Sequence, residues 1–146
     1  MNNFVHYSNH KSFRKPEKFS ILKMKKPPFH KSVQFTFRGI IWILRNERNF
    51  QIHISGLIIN LFLIVFLELS KMDTALILLC CFFVLVTEAL NTCVEKICDY
   101  IQPEFDLRIG IIKDLAGGAV MLATICAICV GVLVYWPYLG WRIGEF

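Results

Sequence analysis

Glu88, Asn91, Glu95 and Asp99 stand at i, i+3, i+7 and i+11. At about 100° per residue that spacing places all four on one narrow stripe of a helix. Thr92 flanks the stripe, and residues 75–86 ahead of it are almost wholly apolar. The acids therefore sit on the far part of a helix that begins as a membrane span. With about 1.5 Å of rise per residue from Asp73, Glu88 lies roughly 22 Å along that helix and Glu95 roughly 33 Å. Against a hydrocarbon core about 30 Å thick, Glu88 falls inside the core near one boundary and Glu95 at the interface. An unpartnered charge in mid-bilayer costs about 2.5–3.5 kcal/mol or more, so an intramembrane acid is a functional candidate by default. Interhelical hydrogen-bond glue is the competing reading. Asn91 alone fits it, whereas two Glu and an Asn on one stripe, opening onto a charged loop, fit chemistry better.

That loop, residues 102–114, holds Glu104 and Asp106, and ends in Lys113 and Asp114 at the mouth of the next apolar segment. Carboxylates hold a hard divalent cation, and an ammonium neutralises phosphate oxygens. Acid, Lys and acid around a membrane-facing cleft are thus the components of a metal–nucleotide site. No G-x-x-x-x-G-K-[ST] loop and no kinase-type glycine-rich loop is present, so a nucleotide site here is unlike those of the common soluble kinases.

The elements that must position these groups follow from hydropathy. The chain has 146 residues, of which 55% are hydrophobic, and its mean hydropathy is +0.53. A soluble domain of this length cannot bury so much apolar surface. Three segments, residues 52–69, 74–101 and 115–136, are each long enough to cross a bilayer. The third is closed by Pro137, leaving a short tail over 138–146. The first carries His53, Asn60 and Glu68 as its strongly polar members. The turn 70–73 fits only an antiparallel helical hairpin. Over residues 31–50, Val33, Phe37, Ile40, Ile41 and Leu44 recur at helical spacing among basic and polar residues, with Phe35 and Trp42 widening the apolar face. That is an amphipathic helix suited to the membrane surface. The expected architecture is an all-α integral membrane protein: three transmembrane helices plus an N-terminal amphipathic surface helix, in an oligomeric bundle.

The formal charge is +5, but its distribution argues against nucleic acid. Eight Lys and Arg fall between Lys11 and Lys31, with Glu17 the sole acid there. Residues 1–30 read as a basic, flexible arm, and a basic flank before an apolar segment marks the cytoplasmic side. The arm and the Arg108/Lys113 loop then share one side, giving N-in/C-out, with Lys71 and Arg142 outside. No apolar stretch before position 40 has the form of a signal peptide. The six cysteines lie within or at the end of apolar helical segments, where small packing residues are expected rather than a disulfide framework or zinc site. Gly117, Gly118, Ala119 and Ala123 permit close helix approach on the third span.

Residues 88–95 (E-A-L-N-T-C-V-E), then Asp99, Pro103-Glu104-Phe105 and Lys113-Asp114-Leu-Ala-Gly-Gly-Ala119, resemble the signature of the prokaryotic diacylglycerol kinase family, which includes undecaprenol kinases. Phe35-Thr-Phe-Arg-Gly39 and Asn46-Glu-Arg-Asn-Phe50 resemble its N-terminal helix. The likeness runs from about Lys31 to Trp136. It implies a homotrimeric three-span enzyme of the bacterial inner membrane. Such an enzyme transfers the ATP γ-phosphoryl group to a lipid hydroxyl, with Mg²⁺, at a cytoplasmic active site. Carried over, it makes Glu88 the general base, with Asn91 positioning it and the acceptor. Glu95 and Glu47 would hold the metal; Lys113, Asp114 and Glu104 would contact the nucleotide, with Phe35 nearby. Glu47 enters by the resemblance alone, since between Arg45 and Arg48 it otherwise reads as a solvated acid. The loop has Asp106 where many relatives have His, and Thr92 stands where Ser is also common. The stretch 47–53 (E-R-N-F-Q-I-H) resembles the undecaprenol kinase branch more than the enterobacterial diacylglycerol kinases. A second reading, a non-catalytic membrane assembly or transport subunit with a structural acidic stripe, leaves Lys113, Asp114 and the loop acids without a task.

Overall fold

The computed structural model describes residues 28–143, with side chains to residue 140; the expected basic arm over 1–27, the end of the tail and the Arg142 side chain lie outside this range. Four helices follow one another: α1 (Phe29–Asn46), α2 (Arg48–Phe66), α3 (Lys71–Ile101) and α4 (Leu107–Ile143). The last three are each long and apolar enough to cross a membrane, as the hydropathy pattern predicts. α3 packs most extensively on α4, then α2 on α3, while α1 meets mainly α2. The interior is thin, with Ile77, Val84, Leu85, Val120, Ala123 and Val134 as its main buried members, and large apolar side chains are exposed along every helix. Outward faces of this kind need lipid or further copies to cover them.

The surface helix expected over 31–50 ends earlier, at Asn46, because Glu47 takes an extended conformation (φ −108°, ψ 112°). Side chains stabilise the break. Gln51 Nε2 donates to the carbonyls of Leu44 and Arg45 at 3.1 and 3.3 Å, and Asn46 Nδ2 donates to Trp42 O at 2.7 Å. The last carbonyls of α1 are thereby satisfied, and the first span begins at Arg48 rather than 52.

That span also ends at Phe66 rather than 69. Leu69 N donates to Ile64 O at 3.1 Å and Glu68 N to Val65 O at 3.4 Å, the double closure of a Schellman motif. Its left-handed position is held by Glu68 (φ 53°), where glycine is usual. A left-handed non-glycine residue costs roughly 1–2 kcal/mol, partly offset by the entropy glycine adds to the unfolded chain. Glu68→Gly is therefore expected to stabilise the hairpin by about 0.5–1 kcal/mol, read as a higher unfolding midpoint in detergent. A lowered midpoint would contradict this account of the turn.

Ser70 caps α3: its Oγ accepts from Asp73 N at 3.2 Å and donates to Asp73 Oδ2 at 2.8 Å. The expected end of the third span at Pro137 is also corrected, since α4 runs through Pro137 to Ile143. Proline removes one backbone donor from the helix, but the following turn is anchored. Tyr138 Oη donates to Asp73 Oδ2 at 2.6 Å and accepts from Ser70 N at 3.0 Å. At the other end, the expected loop 102–114 shrinks to a short connection, because Asp106 starts α4 at Leu107. Its Oδ1 accepts from Arg108 N at 2.8 Å, an N-cap bond. Arg108 Nη2 and Nε meet the same carboxylate at 2.9 and 3.3 Å. The Arg108 guanidinium, then backbone N–H groups, hold the Asp106 carboxyl below the usual carboxylate range. Asp106 thus has a structural task, and Lys113 and Asp114 sit on a helix rather than in a loop.

Candidate functional site

At 31 residues, α3 is about 46 Å long, well beyond a hydrocarbon core of about 30 Å. Its polar stripe occupies the second half, where the helix passes from lipid toward water. The stripe faces inward. Glu88 is 3% exposed, Asn91 6% and Thr92 3%, while Glu95 is half-buried and Asp99 exposed. A cleft of about 340 Å³ opens over it, lined by Asn49 and His53 from α2, by Glu88, Asn91 and Glu95 from α3, and by Gly117 from α4. Glu47, Glu95 and His53 all lie within electrostatic range of the Glu88 carboxylate.

Asn91 orders this group. Its Nδ2 donates to Glu95 Oε1 at 3.2 Å, which fixes the amide orientation, because only the N–H side can face a carboxylate. The amide oxygen then points away from Glu95, and Asn91 Oδ1 is buried without a hydrogen-bond partner among the described residues. An orphaned buried acceptor costs about 1–3 kcal/mol. Such atoms call for an explanation, and a substrate donor is one. A hydroxyl entering the cleft would supply that donor beside Glu88.

Charge pairs surround the cleft. Lys113 of α4 bonds and ion-pairs with Asp99, which ties α4 to the exposed end of the stripe and places the ammonium in the field of Glu95. Glu47 forms an ion pair with Lys96, Nζ to Oε1 at 2.9 Å. Phe35, Glu104 and Asp114 do not line the cleft. Phe35 lies on α1, with the Arg38 guanidinium carbon 5.8 Å from its ring centroid, and Glu104 and Asp114 are exposed. Among the described residues, no group of three or more His, Cys, Asp or Glu side chains converges as a metal cage.

Four residues at the site went unassigned in the sequence. Asn49 and His53 are four apart on α2, so helical spacing of polar residues in a span was their signal. Asp99 was placed on the stripe by its spacing but given no role, and Lys96 carried no comparable mark, because an exposed charge near a helix end usually faces solvent. The small residues of α4 also differ from expectation within the protomer. A Cβ added at Gly117 or Gly118 meets nothing within 4 Å, whereas Ala123 is 3% exposed and is the one packed closely.

Comparison with known proteins places these residues in a wider pattern. Residues 34–135 match the family described as prokaryotic diacylglycerol kinase. The chain is 32% identical over 111 residues to an undecaprenol kinase of Bacillus subtilis, covering 76% of this chain and 90% of that protein. It is 30% identical over 107 residues to a diacylglycerol kinase of Synechocystis, covering 73% of this chain and 61% of that protein. Identity to a diacylglycerol kinase of Escherichia coli is 24% over 112 residues, covering 75% of this chain and 90% of that protein.

Proposed function

Because this chain belongs to the prokaryotic diacylglycerol kinase family and is an ATP-dependent membrane lipid kinase, we propose that its cleft moves the γ-phosphoryl group of ATP onto the hydroxyl of a polyprenol, with Glu88 as general base. The observation that carries this reading is the pairing of a buried carboxylate with a buried, unpartnered amide oxygen. Glu88 and Asn91 both line the cleft, and Asn91 Oδ1 is buried beside it without a hydrogen-bond partner among the described residues. A non-catalytic assembly or transport subunit is not favoured, since the comparisons point to kinases throughout.

Phosphoryl transfer asks for positioning and charge neutralisation more than covalent chemistry. Asn91 Oδ1 accepts from the lipid hydroxyl as it enters and orients it. The O–H then turns to the Glu88 carboxylate, which takes its single proton as the hydroxyl oxygen attacks the γ-phosphorus and the bond to the β–γ bridging oxygen breaks, releasing ADP. Glu95 and Glu47 would hold Mg²⁺, which when bound neutralises charge on the ATP phosphates. Two carboxylates without a complete protein cage suit an ion that keeps waters and substrate phosphates in its shell. Lys113 supplies an ammonium at the exposed end of the stripe, next to where phosphate oxygens would lie, with Asp114, Glu104 and Phe35 contributing to nucleotide contact from the periphery. The apolar face of α1, with Phe37 and Ile40 more than half exposed, suits a position on the membrane surface. The basic residues favour a cytoplasmic N-terminus and active site in the bacterial inner membrane. A cleft open on one side favours a homo-oligomer, and the family resemblance implies a trimer.

The preference for a polyprenol rests on residues 47–53 and on the relative of highest identity above, an undecaprenol kinase. The purified protein, assayed side by side with undecaprenol and diacylglycerol under the same detergent conditions, is expected to phosphorylate undecaprenol with the higher kcat/KM. A higher value for diacylglycerol would reverse the acceptor assignment while leaving lipid kinase activity intact.

A further inference from the structure

The ion pair between Lys96 and Glu47 has no part in the transfer chemistry above, yet it holds a carboxylate assigned to the metal. Lys96 Nζ lies 2.9 Å from Glu47 Oε1 and 5.5 Å from the centroid of the Trp42 ring. One cation on α3 therefore touches both α1 and the extended residue separating α1 from α2. Glu95 and Lys96 are successive residues of α3 and diverge by about 100° around its axis. The carboxylate lines the cleft while the ammonium reaches α1. The Glu47 side chain is 20% exposed and that of Lys96 52%, so the acid is held in place whereas the ammonium has an open route to water.

We propose that Lys96 is a positioning residue that serves as the resident counter-cation of Glu47, displaced when a divalent cation binds with ATP, and that its displacement loosens α1 from α3. The inference rests on the assignment of Glu47 to the metal. A hard divalent ion sits about 2.0–2.1 Å from a carboxylate oxygen. Two cations crowded on one carboxylate repel each other, and the more exposed, singly charged one gives way. Until then the ammonium keeps Glu47 from turning to solvent and holds Trp42 close to α3. Once released, Lys96 remains in the field of Glu95 and Asp99, on the side where the nucleotide phosphates would be held.

The test is Mn²⁺ binding, followed by electron paramagnetic resonance on the full chain in detergent with a non-hydrolysable ATP analogue. Lys96→Met keeps an apolar stem against Trp42 but removes the competing charge, and is expected to bind Mn²⁺ about three- to fivefold more tightly. Lys96→Arg should match the wild type. A purely structural Lys96 would give the opposite sign, since its loss would loosen the site. Unchanged or weaker binding in Lys96→Met, together with weaker binding in Glu47→Gln, overturns the counter-cation role. Unaltered binding in Glu47→Gln overturns instead the metal assignment beneath it. In a Trp136→Phe, Trp141→Phe background, Trp42 is the sole tryptophan of the three. Mg²⁺ with the analogue should then change its emission when Lys96 is present and leave it unchanged in Lys96→Met. A constant emission in the Lys96-bearing protein contradicts the loosening of α1.

Discussion

Glu88→Gln is expected to lower kcat by about 10²–10⁴-fold, the usual contribution of a positioned general base, while leaving folding and nucleotide binding intact. The two side chains have the same shape, so a residue only 3% exposed is exchanged without opening a cavity. The variant also removes a carboxylate that is costly to bury, so its unfolding midpoint should equal or exceed that of the wild type. Loss of transfer with retained stability and retained binding of a non-hydrolysable ATP analogue separates a base from a structural acid. A variant that turns over within a few-fold of the wild type would sink the assignment of Glu88.

The second large effect concerns Glu95. In Glu95→Gln the amide oxygen can still accept from Asn91 Nδ2, as Glu95 Oε1 does at 3.2 Å, so the orientation of Asn91 is kept. What is lost is the negative charge available to a cation. The Mg²⁺ concentration giving half-maximal activity should rise by at least about tenfold, with kcat partly recovered at high Mg²⁺ and the KM for lipid little changed. A raised lipid KM with an unaltered Mg²⁺ requirement would instead place Glu95 on the acceptor side of the cleft.

The three acids of the candidate site were legible in the sequence to different degrees, for physical reasons. Glu88, Asn91 and Glu95 fall at helical spacing inside an apolar segment, so both their common face and their cost in lipid could be read from composition and period. Glu47 could not. It lies in a continuous amphipathic pattern, and the break at which its carboxylate meets Lys96 is stabilised by Gln51 reaching back to Leu44 and Arg45. The end of α4 was missed for a similar reason: Pro137 is a sound local stop signal, but Tyr138 fastens the next turn to Asp73 and Ser70, more than sixty residues away. Lys113 was found by its charge, although its Asp99 partner on α3 appears only once α3 and α4 are packed. Local periodicity thus pointed to α3 as the helix carrying the candidate site, and contacts between helices decided which charges meet there.

The most direct measurement is the fate of the γ-phosphate itself. Purified protein is given ATP labelled at the γ position, Mg²⁺ and undecaprenol in mixed micelles, with Glu88→Gln run in parallel. Label recovered in a lipid phosphate from the wild type, dependent on added lipid and lost in the variant, is the predicted result. Label appearing only as inorganic phosphate, or equally in lipid from both proteins, would contradict the account.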